Sequence, residues 1–467
     1  MKRCALFCMV LGILACGCRR ELSEPLMFPD YRGVTVPCNI APLNFYYDGK
    51  GSADAVTTFE AGCIRVEVKG REVCPARGEW AALLEAALGG SVHVTSSLFG
   101  EWDIEVSRDS VDSYLTYRLI EPGYEVWNHV AIVERDLTSF AERTLSSWEN
   151  TGNACMNCHI HKGENSMFYL RGKNGGAIYS RGGGGCRKLN LKKDGMASGT
   201  VYGDIHPSGR WGVFSTNIII PGFHTGTGRR LEVYDTVSDL CVTDFDNDTI
   251  LIADSFARPD RFETFPCFSA DGSQVFYCSA DTVTLPRQVE QLRYSLYRTP
   301  FDSITGKLGP QVENVWDAAI HKGSVCHPKA SPDGKWLVFT VADYGTFPIW
   351  HRECDLWIMN LSTGESRPMN EINSPEFSDS YHSWSSDGHW MVFASKRDDG
   401  QYGKPWFCHI DSDGKASRPF ILPQEDPHLY DKTLKSFNIP DLGKYPAPYD
   451  SVETGRIWKE VSAENFH

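Results

Sequence analysis

Beyond its first eighteen positions this 467-residue chain has no long apolar run, so no later segment is suited to cross a bilayer as a helix. Basic charge is also scarce. The 46 Lys and Arg are outnumbered by 60 Asp and Glu, and the net charge of -14 argues against the basic face that a nucleic-acid binder needs to neutralise phosphates. Gly and Pro, at 42 and 25, are too few for collagen or a disordered tract. The Gly-rich segments Gly182–Gly185 and Arg171–Gly176 lack the Gly-Lys-Ser/Thr of a phosphate loop, and neither a His-Glu-x-x-His nor a Ser-His-Asp order can be picked out. By contrast, 16 Cys accompany 24 Phe, 19 Tyr and 13 Trp, a composition that fits a β-rich exported chain better than a cytosolic enzyme. The length allows two or three domains, each able to bury a core.

The N-terminus reads as a signal peptide. Lys2 and Arg3 precede an apolar stretch from Ala5 to Ala15 that is too short to span a membrane and ends in small residues before a cysteine. This arrangement resembles a bacterial lipobox, with Cys16 in Ile13-Leu14-Ala15-Cys16 as the preferred lipidation site and Cys18 as the alternative. No acidic run follows either cysteine. The expectation is an outer-membrane lipoprotein facing the periplasm, with 1–18 as signal peptide and 19–33 as tether.

From Val34 to about Arg135 short alternating runs recur between turn residues, among them Cys63–Val68, Ser91–Thr95, Trp102–Val106 and Tyr114–Ile120. They predict a β-sandwich over 34–147, interrupted by a helix at Glu79–Leu88 that covers a sheet edge or end. Polar, Gly- and Asn-rich residues at 148–165 read as a linker. Beyond it the sequence repeats: His206-Pro207-Ser208-Gly209, Ala270-Asp271-Gly272, Ser331-Pro332-Asp333-Gly334-Lys335 and Ser386-Asp387-Gly388 each lead into a strand of the Trp-x-Val-Phe type. Turn glycines at this spacing, with several short strands per unit, are the mark of a β-propeller, expected over 166–425 with five or six blades. The tail at 426–467 is expected to pack back on the body.

The linker carries the most informative motif. Cys155-Met156-Asn157-Cys158-His159 is a Cys-x-x-Cys-His sequence, in which two thiols can add to the vinyl groups of one haem and the histidine can ligate its iron. At this composition chance supplies roughly 0.016 such motifs, so coincidence is a weak explanation. A thioredoxin-like pair would need a βαβ context and a zinc site a second ligand pair, neither of which is visible. Met167 is the first choice for a distal ligand, although it also suits the core of the first blade; His161 is too close to reach the opposite ring face, and His129 and Met196 are distant alternatives. His206, His382 and His389 sit in or beside repeat turns and are read as holding blade geometry instead of metal. Arg187, Lys188, Lys192 and Lys193 read as the exposed face of a strand, and Cys267, Cys278 and Cys408 as small core residues.

With the lipobox, Val34–Phe45, the Cys155–His159 motif and Tyr381–Ser386, the chain resembles the TolB-like propeller lipoproteins that carry one c-type haem motif and are often labelled cytochrome c biosynthesis proteins. The Ser331–Lys335 repeat core matches the TolB-like propeller repeat letter for letter. The resemblance implies an all-β chain and a periplasmic protein with one covalent haem c, held by Cys155 and Cys158 and ligated by His159. Such a protein would transfer electrons and dock a redox or envelope partner. The alternative is a binding scaffold for protein or glycan in which the cysteine motif is structural; a haem peroxidase would need an open iron position and a distal acid-base residue.

Overall fold

The computed structural model describes residues 24–120, 129–152, 155–171, 176–223 and 231–467. The segment expected to be a signal peptide and both candidate lipid cysteines, Cys16 and Cys18, lie outside the described residues, as do the side chains of Cys155 and Cys158. No helix among the described residues is long and apolar enough to cross a membrane.

Alternation builds the N-terminal sandwich. In Ser91–Ser96 every second residue is buried, with Val92 and Val94 fully enclosed. This strand lies in a five-stranded sheet with Thr35–Val36, Gly100–Val106, Val56–Ala61 and Ile64–Lys69, beside a three-stranded sheet of Leu26–Phe28, Phe45–Asp48 and Glu72–Val73. The predicted helix forms at Arg77–Ala86. It buries Trp80, Leu83 and Leu84, spaced to share one helical face, and sets Trp80 edge-on to Phe59 with ring centroids 6.1 Å apart.

Among the described residues, six further sheets stand around a common axis. In chain order their innermost strands are Cys155–Lys162, Thr200–Ile205, Arg261–Phe268, Ser324–Ala330, Asp379–Trp384 and Ser436–Gly443. Each touches the next, and Ser436–Gly443 touches Cys155–Lys162, which closes the ring. The architecture is a β-propeller behind a sandwich, all-β as expected. The turn glycines recognised in the repeats have positive φ, 70° at Gly209, 74° at Gly272, 72° at Gly334 and 78° at Gly388. In the third repeat the Ser331 hydroxyl donates to Asp333 Oδ1 at 2.6 Å and accepts from Trp336 N at 2.9 Å, so the Ser-Pro-Asp-Gly core fastens the turn to the strand that follows.

Two expected boundaries move. The sandwich sheets end at Val106 instead of 147, because Tyr114–Ile120, Ala131–Asp136 and Glu142–Ser147 form a propeller sheet completed by the C-terminal strand Ser436–Gly443. Alternating strands look alike in sequence whether they belong to a sandwich or a propeller. The supposed linker also contains a strand, Cys155–Lys162, paired with Asn165–Arg171. A third correction concerns Lys188, expected on an exposed face. It is buried, and its Nζ donates to the carbonyls of Trp458 and Val461 at 3.0 and 3.1 Å, because the C-terminal helix Ser451–Glu460 covers that side.

Candidate functional site

All six innermost strands break register at one point: between Met156 and His159, Thr200 and Tyr202, Thr264 and Cys267, Cys326 and Lys329, Ser380 and His382, and Asn438 and Asp441. These are β-bulges, which re-aim side chains along a strand. In four of them a non-glycine residue takes positive φ: Phe265 at 51°, His327 at 53°, Tyr381 at 41° and Ile439 at 55°. Phe265, His327 and Ile439 each precede a proline, and the residue after that proline is Cys267, Lys329 or Asp441. The Cys155–His159 motif occupies the same place in its own strand. There Asn157-Cys158 are the residues skipped, and His159 is the counterpart of Cys267, Lys329 and Asp441.

His159 is buried against its cross-strand partner Phe168, and neither ring nitrogen makes a hydrogen bond of normal geometry among the described residues. Burial pushes its imidazole pKa down to about 4, against the pull of the Asp441 carboxylate. Met167 pairs with Ile160, one position along, and is fully buried in the apolar cluster shared with the next sheet. His159 and Met167 therefore face opposite sides of the hairpin. His161 is buried too, with its Nδ1 3.3 Å from Thr116 Oγ1 and its backbone N donating to Asp441 Oδ2 at 2.7 Å. Met196 is partly buried at the edge of the same cluster as Met167, and His129 packs against Trp148 at 4.8 Å. The imidazole nitrogens of His159 suit a ligand, while the side chains of Cys155 and Cys158 lie outside the described residues.

Just beyond the bulges, the ends of the inner strands open into a cavity of about 480 Å³. Its charges alternate around the axis. Lys162 Nζ lies 2.6 Å from Asp204 Oδ2, and that carboxylate also accepts from the backbone N of Phe268 at 2.9 Å. Lys329 lies in the same wall. Burial works against its charge, but Asp441 and Asp204 more than offset this and hold its pKa above the ordinary lysine value. Burial would likewise raise the Asp204 pKa, but Lys162, Lys329 and the hydrogen bonds outweigh it and keep the carboxylate ionised. Opposite, Asp112 accepts from Ser386 N and Oγ at 2.9 and 2.6 Å. The cavity can thus offer ammonium and carboxylate groups to one ligand. The sequence reading missed these residues; the signal was the repeated residue-Pro-residue run at Phe265–Cys267, His327–Lys329 and Ile439–Asp441.

The predicted roles of two histidines are visible here. His206 Nδ1 accepts from the Ser208 backbone at 3.0 Å inside its turn, and His382 Nε2 meets the Val338 carbonyl of the neighbouring sheet at 2.9 Å, so both hold sheet geometry. Cys267, Cys278 and Cys408 are buried in apolar clusters.

No protein-family description matches the chain, and no curated protein matches it. Similar solved structures include TolB from Acinetobacter baumannii, at 13% identity over 79% of this chain and 86% of that one, with a TM-score of 0.47. A putative TolB from Agrobacterium tumefaciens is 13% identical over 68% of this chain and 89% of its own, with a TM-score of 0.35. The GH74 enzyme of Niastella koreensis is 10% identical over 66% and 45% of the two chains, with a TM-score of 0.42.

Proposed function

We propose that this protein is an envelope binding scaffold of the TolB-like propeller type, which takes a short charged segment of a partner protein at the mouth of its axis. The cavity that carries this reading is lined by Lys162 and Lys329 together with Asp204, Asp441 and Asp112. Charges of both signs favour a peptide over a neutral glycan, and the two aromatic rings of the lining, Phe268 and Trp384, are buried, Trp384 being held by its Nε1 on the Lys329 carbonyl at 3.2 Å. The signal peptide and lipobox support export and tethering at the outer membrane through Cys16 or Cys18.

Partners cross-linked in cells to the wild-type chain and to Lys329→Met test the reading. At equal expression, recovery of a discrete partner is expected to fall at least tenfold in the variant. Unchanged recovery, or release of the partner by glycan-digesting enzymes, overturns the peptide reading. A pyridine haemochrome spectrum of the same preparation bears on the electron-transfer account: bound haem lost in Cys155→Ala would restore it, with His159 as the iron ligand.

A further inference from the structure

Away from the axis, a loop of the sandwich meets the outer part of the sheet whose innermost strand is Asp379–Trp384. We propose that Asp109, His389 and His409 form a zinc-type divalent metal site that pins the sandwich to the propeller. Each of the three offers one donor atom, and the three donors lie within 4.8 Å of one another. All three residues are partly exposed, so an ion can reach them.

The two imidazoles are placed by the sheet. His409 ends the strand Lys404–His409 and pairs with Trp390, while His389 immediately precedes Trp390–Ser395, and its carbonyl accepts from Ile410 N at 2.7 Å. The rings consequently stand parallel, 5.8 Å between centroids and 9° between planes. His389 Nδ1 lies 3.3 Å from the Ile410 carbonyl, which fixes the proton on Nδ1 and leaves the lone pair of Nε2 free for a metal. Asp109 comes from the loop after Gly100–Val106, and its Oδ2 lies 2.8 Å from His409 Nε2.

Second contacts hold this carboxylate in place. Ser107 Oγ donates to Asp109 Oδ2 at 3.1 Å, and the Trp390 indole, edge-on to His409 at 5.1 Å, donates to the Asp109 carbonyl at 2.9 Å. Outer partners that orient each ligand are the usual support of a metal centre. Two imidazoles and one carboxylate suit zinc and its transition-metal neighbours more than magnesium or calcium, which prefer all-oxygen shells. Bonds of 2.0 to 2.2 Å set the edges of a tetrahedron at roughly 3.4 Å, so the 2.8 Å contact between Asp109 Oδ2 and His409 Nε2 must open to admit the ion, and a fourth position is left for water. The alternative is that Asp109 and His409 are simply an ion pair and His389 a turn residue.

The full mature chain, stripped with chelator, separates the two. Titration with Zn2+ is expected to bind one equivalent at this site with micromolar or tighter affinity and raise the melting temperature, whereas Mg2+ does neither. Co2+ is expected to give a tetrahedral d–d spectrum without the sulfur charge-transfer band that cysteine ligation produces. His389→Ala should weaken Zn2+ binding at least tenfold, and His389→Gln serves if the alanine variant misfolds. Zn2+ affinity unmoved by both variants, a thiolate band in the Co2+ spectrum, or no Zn2+-dependent shift in melting would each overturn the proposal.

Discussion

A buried histidine makes part of this fold's stability sensitive to alkaline pH. His351 is fully enclosed, with Nε2 3.0 Å from Glu232 Oε2 and Nδ1 3.0 Å from Glu353 Oε1. Burial disfavours its cation, but the two carboxylates outweigh burial and raise its pKa to about 9. Because the folded value lies above the unfolded one, the stabilisation is complete below about pH 6.5 and is lost as pH rises through about 9, a difference on the order of 3 kcal/mol. Glu353, whose pKa the same contact holds at about 2 despite burial, shows the mirror behaviour: its contribution is present above pH 4.5 and fades as pH falls toward 2. Denaturant midpoints measured from pH 6 to 10 should therefore fall more steeply for the wild type than for His351→Gln, which retains the loss from Asp235 and Glu263, whose burial raises their pKa values to about 7 and about 8. A wild-type curve flat from pH 6.5 to 9.5 would rule out this role.

At the scale of elements, the decisive strand is Ser436–Gly443. It hydrogen-bonds to Tyr114–Ile120 through pairs such as Phe437 with Leu119 and Leu442 with Leu115, and so joins the two ends of the propeller. A chain ending after Thr433 would leave Tyr114–Ile120 as an unpaired edge and the ring open. Loss of a cooperative thermal transition is expected, with partial recovery when a peptide of residues 434–467 is added; a truncated chain melting like the full one would contradict this. Local sequence could show the repeats, because each Asp-Gly turn is written within a few residues, and it could show the helix at Arg77–Ala86 from its Ala and Leu content. It could not show that Ser436–Gly443 completes a sheet begun more than three hundred positions earlier, since no periodicity links the two. The Cys155–His159 motif was equally visible, but its conformation was not. Its strand assignment follows from pairing with Asn165–Arg171 and from its place in the ring, both tertiary facts. Asp109, His389 and His409 escaped for the same reason: they come from three separate segments and share no spacing.

For the molecule as a whole, the question is whether sandwich and propeller unfold together. A single apolar cluster runs through both, from Val36, Phe59 and Trp80 in the sandwich to Trp390, Val392, Phe407 and Phe420 in the sheet of Asp379–Trp384. Trp390 is fully buried at this junction, and its indole donates to the Asp109 carbonyl across it. Apolar burial of this kind makes the two parts one cooperative unit, unlike the small polar contacts that let domains move independently. Calorimetry of chelator-treated protein should accordingly show one transition. Trp390→Ala removes the largest junction side chain and is expected to cost about 3–5 kcal/mol. Because the variant loses contacts between the parts as well as the packing of Trp390 on His409 and Phe420 in its own sheet, it should also separate the transition into two, with the loop around Asp109 becoming the first site of proteolytic cleavage. Two transitions in the wild type, or one unshifted transition in the variant, would mean that the cluster does not couple the two bodies.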